Sequence, residues 1–164
     1  FYYLTCHREE NTPIDTPLLE ILKAMNSLDQ KTVYPVHPRN KERAARLCAE
    51  YSLNNVILIK PVGYLISIYL IKNAQKIVTD SGGVQKEAFF AKRQCVVVFN
   101  QTIEHFETMS GNCMQLAQPD KGDILSKLEA NPIWPDNYHP FGNGQACEDI
   151  VDLINMFKWR NVKL

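Results

Sequence analysis

The sequence predicts an α/β protein in which helices cover both faces of one doubly wound parallel sheet. Short runs rich in β-branched and aromatic residues alternate with longer stretches of helical periodicity almost to the end of the chain. Strands and helices that alternate in this way are typical of βαβ units with right-handed crossovers. The 164 residues, 45% of them hydrophobic, are enough for one sizeable core. We therefore expect one compact domain.

Six runs have the length and composition of strands. They are residues 1–5, 32–36, 56–59, 76–79, 95–99 and 113–116. Six further stretches have helical patterns, and these are residues 13–28, 41–51, 64–73, 83–91, 122–129 and 144–159. In the first helix, Leu18, Leu19, Leu22 and Met25 form one apolar stripe, which predicts the face that packs on the sheet.

The second half of the chain contains less regular stretches. Residues 100–112 and 131–143 are rich in turn residues, and loops of this length are usually functional or mobile. The closing helix, 144–159, carries Ile150 and Leu153 on one apolar stripe. We expect this stripe to pack against another part of the full-length protein.

The balance of charge limits the kinds of partner. Lys plus Arg and Asp plus Glu both number 18, so the net charge is zero. This balance argues against the broad basic surface that binds nucleic acid or an anionic membrane, and any anion site must be local. No apolar run reaches the roughly 18–20 residues of a membrane span, and no signal peptide is visible. We expect a soluble, cytoplasmic protein without membrane insertion.

The cysteines and the start of the chain are also informative. Five cysteines without CxxC spacing or a histidine cluster argue against a disulfide scaffold and structural zinc. They favour free thiols in a reducing compartment, and no metal or cofactor is expected. The chain opens directly on the strand-like "FYYLTCH", which predicts that it is a piece of a longer protein.

The expected strand order locates a binding site. In the commonest doubly wound order, 3-2-1-4-5-6, strands one and four are neighbours, and ligands bind beyond their carboxyl ends. The loops there are "TCHREEN", residues 5–11, and "TDSGG", residues 79–83. We therefore expect His7 and Arg8 to face Ser81 and Gly82 across one crevice.

The second loop has the chemistry of an anion site. Gly82 and Gly83 lack the Cβ atoms that would keep a ligand away from the backbone, and the N–H groups of a new helix favour negative charge. The Ser81 hydroxyl can cap the helix or donate to a phosphate. Glu87, one turn further along the same helix face, can accept the two hydroxyls of a ribose. The alternatives are ordinary helix capping for "SGG" and a solvated charged segment for "HREEN".

Several motifs resemble the carboxyl-terminal half of the UDP-N-acetylglucosamine 2-epimerases, in the order in which that family has them. They are "HREEN" at 7–11, "YPVHPRN" at 34–40, "KPVGY" at 60–64, "TDSGGVQKEA" at 79–88, "TIEHFE" at 102–107 and "HPFGNGQA" at 139–146. The resemblance implies the second of two Rossmann-like domains that face a cleft, as in the GT-B fold. It also implies interconversion of UDP-N-acetylglucosamine and UDP-N-acetylmannosamine by elimination and re-addition of UDP with inversion at C2, and a homodimeric full-length protein.

The resemblance also implies roles for individual residues. Ser81, Gly82 and Gly83 hold the diphosphate, and Glu87 holds the uridine ribose. His7 lies beside the diphosphate and the reacting sugar as the catalytic residue, and Arg8 pairs with phosphate charge. His37 and His105 are further substrate or regulatory contacts. The carboxylates that remove the C2 proton belong to the amino-terminal half, so the isolated chain is expected to be inactive.

This sequence departs from the family's pattern at several supporting positions. Ser67 stands where an aromatic residue is expected beside uracil, and Phe99 or Asn100 stands where an arginine is expected. His105 and Asp149 replace two further arginines. These departures leave open a glycosyltransferase donor-binding domain, a hydrolysing epimerase, or a non-catalytic homologue that binds a UDP-sugar.

Overall fold

The computed structural model describes residues 1–11, 13–99 and 106–156. The chain divides into two compact units, Phe1–Trp134 and Pro135–Leu164. The first unit contains the whole sheet and five of the helices in the described ranges. The sixth helix belongs to the second unit.

The sheet has six parallel strands, in the order β3-β2-β1-β4-β5-β6. They are β1 (Tyr2–Thr5), β2 (Thr32–Pro35), β3 (Val56–Ile59), β4 (Ile77–Thr79), β5 (Cys95–Val98) and β6 (Met114–Ala117). The predicted fold class and the predicted strand order are therefore confirmed. Thr5 and Thr79 are partners at the carboxyl ends of β1 and β4, so the loops that follow these strands begin side by side.

The helices of the first unit follow the prediction closely. They are α1 (Asp15–Asn26), α2 (Lys41–Glu50), α3 (Tyr64–Asn73), α4 (Gly82–Phe90) and α5 (Lys121–Glu129). The helix α5 begins one residue before the predicted 122, because the Asp120 side chain caps it by accepting the Asp123 N–H at 2.9 Å.

One predicted loop contains helical structure. Within the stretch 100–112, Phe106–Asn112 forms 3-10 turns with a kink, where Gly111 has a φ of 65°. A left-handed φ of this kind is accessible to glycine without steric cost. Residues 100–105 lie outside the described part of the chain.

The core lies on both faces of the sheet because successive strand residues point to opposite sides. Leu4 and Val96 belong to one buried cluster, and Tyr3 and Cys95 belong to the other. The predicted stripe of α1 packs in the first cluster, where Leu18 and Leu22 are fully buried. Burial of each such leucine contributes about 1.5–3 kcal/mol to folding.

The second unit contains the helix α6 (Ala146–Met156). This helix begins two residues after the predicted start at 144, because Gly144 has a φ of 88°, which is incompatible with an α-helix. Residues 157–164, which include the predicted end of the helix, lie outside the described part. Among the residues that the structure describes, no helix has the length and apolar character needed to span a bilayer.

Candidate functional site

The ends of β1 and β4 are tied together by side chains. The hydroxyls of Thr5 and Thr79 lie 2.5 Å apart, and the Thr79 hydroxyl also accepts the Ser81 N–H at 3.0 Å. The two loops that the sequence predicted as the site therefore begin next to each other at the carboxyl ends of β1 and β4. His7 and Arg8 begin one loop, and Asp80 and Ser81 begin the other.

Asp80 is the buried acceptor at this point, and its side chain is fully shielded from solvent. The carboxylate accepts the backbone N–H groups of His7 (2.9 Å) and Arg8 (2.8 Å) and the Asn11 amide (3.3 Å). A buried carboxylate is costly unless hydrogen bonds satisfy it, so these bonds are what make its burial possible. In return they hold the "HREEN" loop against β4.

His7 also binds Asp80 through its ring. The Nδ1 atom lies 3.1 Å from Asp80 Oδ1. This hydrogen bond raises the pKa of His7, against the opposing effect of burial. Burial by itself raises the pKa of Asp80, but the His7 ring and the Arg8 and His7 N–H groups outweigh it and lower that pKa. Both shifts favour an imidazolium–carboxylate pair, which orients the ring and leaves Nε2 as the nitrogen that can meet a ligand.

Ser81 begins α4 and has the capping role that its position suggested. Its hydroxyl accepts the Val84 N–H at 3.4 Å, and Gly82 and Gly83 occupy the first two helical positions. N–H groups in a first helical turn have no acceptor within the helix, so they remain available to an anion. A Cβ atom at residue 83 would meet Ser81 Oγ at 3.6 Å, an ordinary contact. Packing therefore does not require glycine at residue 83.

A cavity of about 200 Å³ opens at these strand ends. His7, His37 and Ser81 line it, together with Ser67 and Tyr3. The structure thus brings together three of the residues predicted from the sequence. The Ser67 hydroxyl lies 3.1 Å from the Tyr3 hydroxyl, so this position provides a polar wall where an aromatic residue was expected.

His37 has a structural role as well as a place in the cavity. Its Nδ1 atom accepts the Arg39 N–H at 3.3 Å and so caps the turn Pro38–Asn40. Because Nδ1 is an acceptor, the neutral ring carries its proton on Nε2. The His7 and His37 rings have their centres 6.2 Å apart.

Arg8 and Gly82 line a smaller cavity next to the first, with Asp80 and Phe99. The Arg8 guanidinium lies over the Phe99 ring, 4.5 Å from its centre. The expected crevice is therefore present as two adjoining parts, one with His7 and Ser81 and the other with Arg8 and Gly82.

The remaining predicted residues lie elsewhere. Glu87 and Gly83 do not line either of these cavities, although Glu87 is partly buried on α4 and burial raises its pKa. His105 and Asn100 lie outside the described residues, and Asp149 is exposed on α6. Asp80 itself was not predicted as a site residue. Its signal was an acidic residue placed directly between a buried strand and a Ser-Gly-Gly turn.

Comparisons with known proteins identify the family of the chain. The family model described as UDP-N-acetylglucosamine 2-epimerase matches residues 1–155. A UDP-N-acetylglucosamine 2-epimerase homolog of Methanococcus maripaludis is 41% identical, over 92% of this chain and 43% of its own length. A UDP-2,3-diacetamido-2,3-dideoxy-D-glucuronate 2-epimerase of Pseudomonas aeruginosa is 34% identical, over 94% of this chain and 44% of its own length.

A solved structure is similar to this chain in fold as well as in sequence. The crystal structure of Methanocaldococcus jannaschii UDP-GlcNAc 2-epimerase in complex with UDP-GlcNAc and UDP superposes with a TM-score of 0.78 at 31% identity. That match covers 95% of this chain and 45% of the other, so the chain spans less than half the length of the relatives it matches. Since the family match extends over nearly all of its residues, the chain belongs to the UDP-N-acetylglucosamine 2-epimerase family.

Proposed function

We propose that the full-length protein is an isomerase that interconverts UDP-N-acetylglucosamine and UDP-N-acetylmannosamine, and that this chain supplies its UDP-binding half. One observation carries the proposal. His7, held on buried Asp80, lines the same cavity as Ser81 at the N-terminus of α4. This arrangement places an imidazole whose pKa is raised by Asp80 beside a helix N-terminus, and the protonated ring and the helix N-terminus both attract a diphosphate.

The α4 N-terminus holds the diphosphate in this proposal. Ser81, Gly82 and Gly83 present backbone N–H groups and a hydroxyl to the phosphate oxygens, and the helix dipole adds a favourable field. The Ser81 hydroxyl accepts the Val84 N–H, so its own hydrogen can be donated to a phosphate. His37, which lines the same cavity, is proposed to contact the ligand through Nε2.

His7 and Arg8 assist the departure of UDP. When the anomeric C–O bond breaks, negative charge develops on the β-phosphate, and a preorganised cation stabilises that charge more in the transition state than in the ground state. The raised pKa of His7 favours the imidazolium at neutral pH, which can donate a hydrogen bond or a proton to the leaving oxygen. Arg8 adds a permanent charge next to Gly82.

Removal of the C2 proton needs a different group. A general base must lie within about 3 Å of that proton, and the family resemblance assigns the carboxylates to the other half of the protein. We therefore propose that this chain binds UDP but does not epimerise a UDP-sugar by itself. His105 is proposed as a further contact on the basis of the motif alone.

Glu87 is proposed to accept hydrogen bonds from the uridine ribose. It lies on α4 one turn beyond Gly83, and its partial burial strengthens a hydrogen bond between a hydroxyl and its carboxylate. We also propose that the protein acts in the cytoplasm, as a homodimer, on precursors of cell-surface polysaccharide. The free buried thiols Cys6, Cys95 and Cys113 are compatible with a reducing compartment.

The proposal is tested by isotope exchange. The full-length protein is incubated with UDP-N-acetylglucosamine in deuterated water, and NMR follows C2 exchange and the appearance of UDP-N-acetylmannosamine. We expect both, with UDP retained on the sugar at equilibrium. The diacetamido-glucuronate analogue is measured in parallel, because a relative at 34% identity is named for that sugar.

Three other results would each identify a different activity. Release of free N-acetylmannosamine and UDP would identify a hydrolysing enzyme. Transfer to an acceptor with the C2 proton retained would identify a glycosyltransferase. UDP binding without any C2 exchange would leave a binding homologue and contradict the isomerase proposal.

A further inference from the structure

Arg8 and Phe99 meet across the carboxyl end of β4. Arg8 follows β1 and Phe99 follows β5, and β4 lies between those two strands in the sheet. The Arg8 Cζ atom is 4.5 Å from the centre of the Phe99 ring, within the distance at which a guanidinium and an aromatic face attract each other. The contact therefore spans the turn at which β4 ends and α4 begins.

The backbones of both residues are fixed. The Arg8 N–H donates to Asp80 Oδ2 at 2.8 Å, and the Phe99 N–H donates to the Ala117 carbonyl at 3.1 Å, which extends the β5–β6 ladder. The Arg8 side chain is long, and its guanidinium lies against the Phe99 ring. A ring that packs on the guanidinium reduces the number of conformations that this side chain samples.

The chemistry of this contact suits an anion-binding cation. The Phe99 ring attracts the guanidinium through its quadrupole and brings no opposite charge with it. Asp80, the nearby carboxylate, accepts the His7 ring and the N–H groups of His7 and Arg8. Arg8 and Phe99 share their small cavity with Gly82, the first residue of α4.

We propose that Phe99 is a positioning residue that holds the Arg8 guanidinium at the N-terminus of α4 for the diphosphate of the ligand. The inference rests on the proposed UDP site. Phe99 acts through Arg8, so its contribution depends on the phosphate groups of the ligand and on the presence of the arginine.

The test is a double-mutant cycle read with two ligands. UDP and uridine are titrated into the parent protein, Phe99→Leu, Phe99→Tyr, Arg8→Ala and the double variant Arg8→Ala/Phe99→Leu. We expect Phe99→Leu to weaken UDP binding by about threefold to tenfold and to leave uridine binding unchanged. Phe99→Tyr, which keeps the ring, should retain the parent affinity, and the double variant should bind UDP no more weakly than Arg8→Ala alone.

The controls separate positioning from folding. Phe90→Leu makes the same change at the other end of α4, and we expect it to leave UDP affinity unchanged. Circular dichroism verifies that each variant is folded, and Phe99→Met replaces Phe99→Leu if the latter unfolds.

Two results would overturn the inference and leave the proposed function standing. One is that Phe99→Leu binds UDP as tightly as a parent protein that itself binds UDP. The other is that the losses of UDP affinity in Arg8→Ala and Phe99→Leu add up in the double variant. A parent protein that does not bind UDP would overturn the proposed function and the inference with it. The two failures are therefore distinguishable.

Discussion

One buried carboxylate, Asp80, organises the donors at the ends of β1 and β4. It fixes the backbone of His7 and Arg8 and the ring of His7. The "HREEN" loop is therefore held next to the N-terminus of α4. The strand order predicted which residues come together, because parallel strands end at one edge of the sheet. The sequence could not reveal that Asp80 is buried, since burial depends on packing around it. Ser81, by contrast, was predictable as a cap from its place before two glycines.

Glu87→Ala tests the ribose contact at the level of one side chain. We expect UDP affinity to fall by about 1–3 kcal/mol, because charge-assisted hydrogen bonds to the ribose hydroxyls are lost. Pyrophosphate, which has no ribose, should bind parent and variant equally. Calorimetric titration measures both ligands, with the neighbouring Lys86→Ala as the control. Equal UDP affinities in parent and Glu87→Ala would remove the proposed role.

At the scale of elements, every strand bound was predicted to within one residue and every helix bound of the first unit to within two. The apolar stripe of α1 and the cap of α4 are local features, so the sequence predicts them directly. The strand β6 begins at Met114, one residue later than predicted. Cys95, the first residue of β5, pairs with Met114, and the Cys95 N–H donates to the Cys113 carbonyl. That register depends on the neighbouring strand. The 3-10 turns of Phe106–Asn112 were likewise invisible in a segment without a periodic pattern.

Gly83→Ala distinguishes a role of this glycine in the fold from a role in ligand binding at the start of α4. Alanine favours a helix over glycine by up to about 1 kcal/mol, and its Cβ would make an ordinary contact. We expect the free energy of unfolding to be unchanged or slightly higher, while UDP affinity falls because the added methyl group obstructs the backbone. Denaturant unfolding and UDP titration measure the two quantities.

A matched substitution controls for the change at a helix start. Gly122 occupies the second position of α5, as Gly83 does in α4, and Gly122→Ala should not affect UDP binding. If Gly83→Ala binds UDP as the parent does, the proposed role of Gly83 in holding the diphosphate is wrong.

At the scale of the whole molecule, the apolar surface is unevenly covered. In the first unit each face of the sheet carries a buried hydrophobic cluster, yet Ile57 of β3 and Tyr64 and Leu65 of α3 are exposed. In the second unit Ile150 and Leu153 of α6 are more than half exposed. The predicted doubly wound fold is thus confirmed, and the expectation that α6 packs against another part of the protein stays a prediction.

The His7–Asp80 pair makes the stability of the whole fold depend on pH. The pKa of His7 is raised above 6.5, so its contribution is complete below that pH and is lost as the pH rises through the raised value. The pKa of Asp80 is lowered below 3.8, so its contribution is complete above that pH and is lost as the pH falls through the lowered value. We expect the pair to stabilise the fold most between these two ordinary values, as measured by urea unfolding across the pH range.

Two variants distinguish the contribution of His7 from that of Asp80 to the pH dependence of the free energy of unfolding. His7→Gln should abolish the loss of stability that this pair contributes as the pH rises through the raised His7 pKa, and should retain the loss in acid. Asp80→Asn should reduce the change of the free energy of unfolding with pH both in acid and around the His7 pKa. It should also destabilise the fold by about 3 kcal/mol, because the buried N–H groups of His7 and Arg8 lose their charged acceptor. Identical pH profiles in parent and Asp80→Asn would contradict the assignment.

The bonds between Asp80 and the "HREEN" loop also have a consequence for the order of folding. They join residues 72 and 73 positions apart, and the intervening chain contains the three crossover helices α1, α2 and α3. Contacts of such long sequence separation form late, because the loop they close must first lose its conformational entropy. During synthesis, His7 and Arg8 leave the ribosome long before the carboxylate that arranges them. The candidate site therefore becomes native only after β4 and Asp80 have been made, and a nascent chain that ends before β4 has His7 and Arg8 without the carboxylate that arranges them.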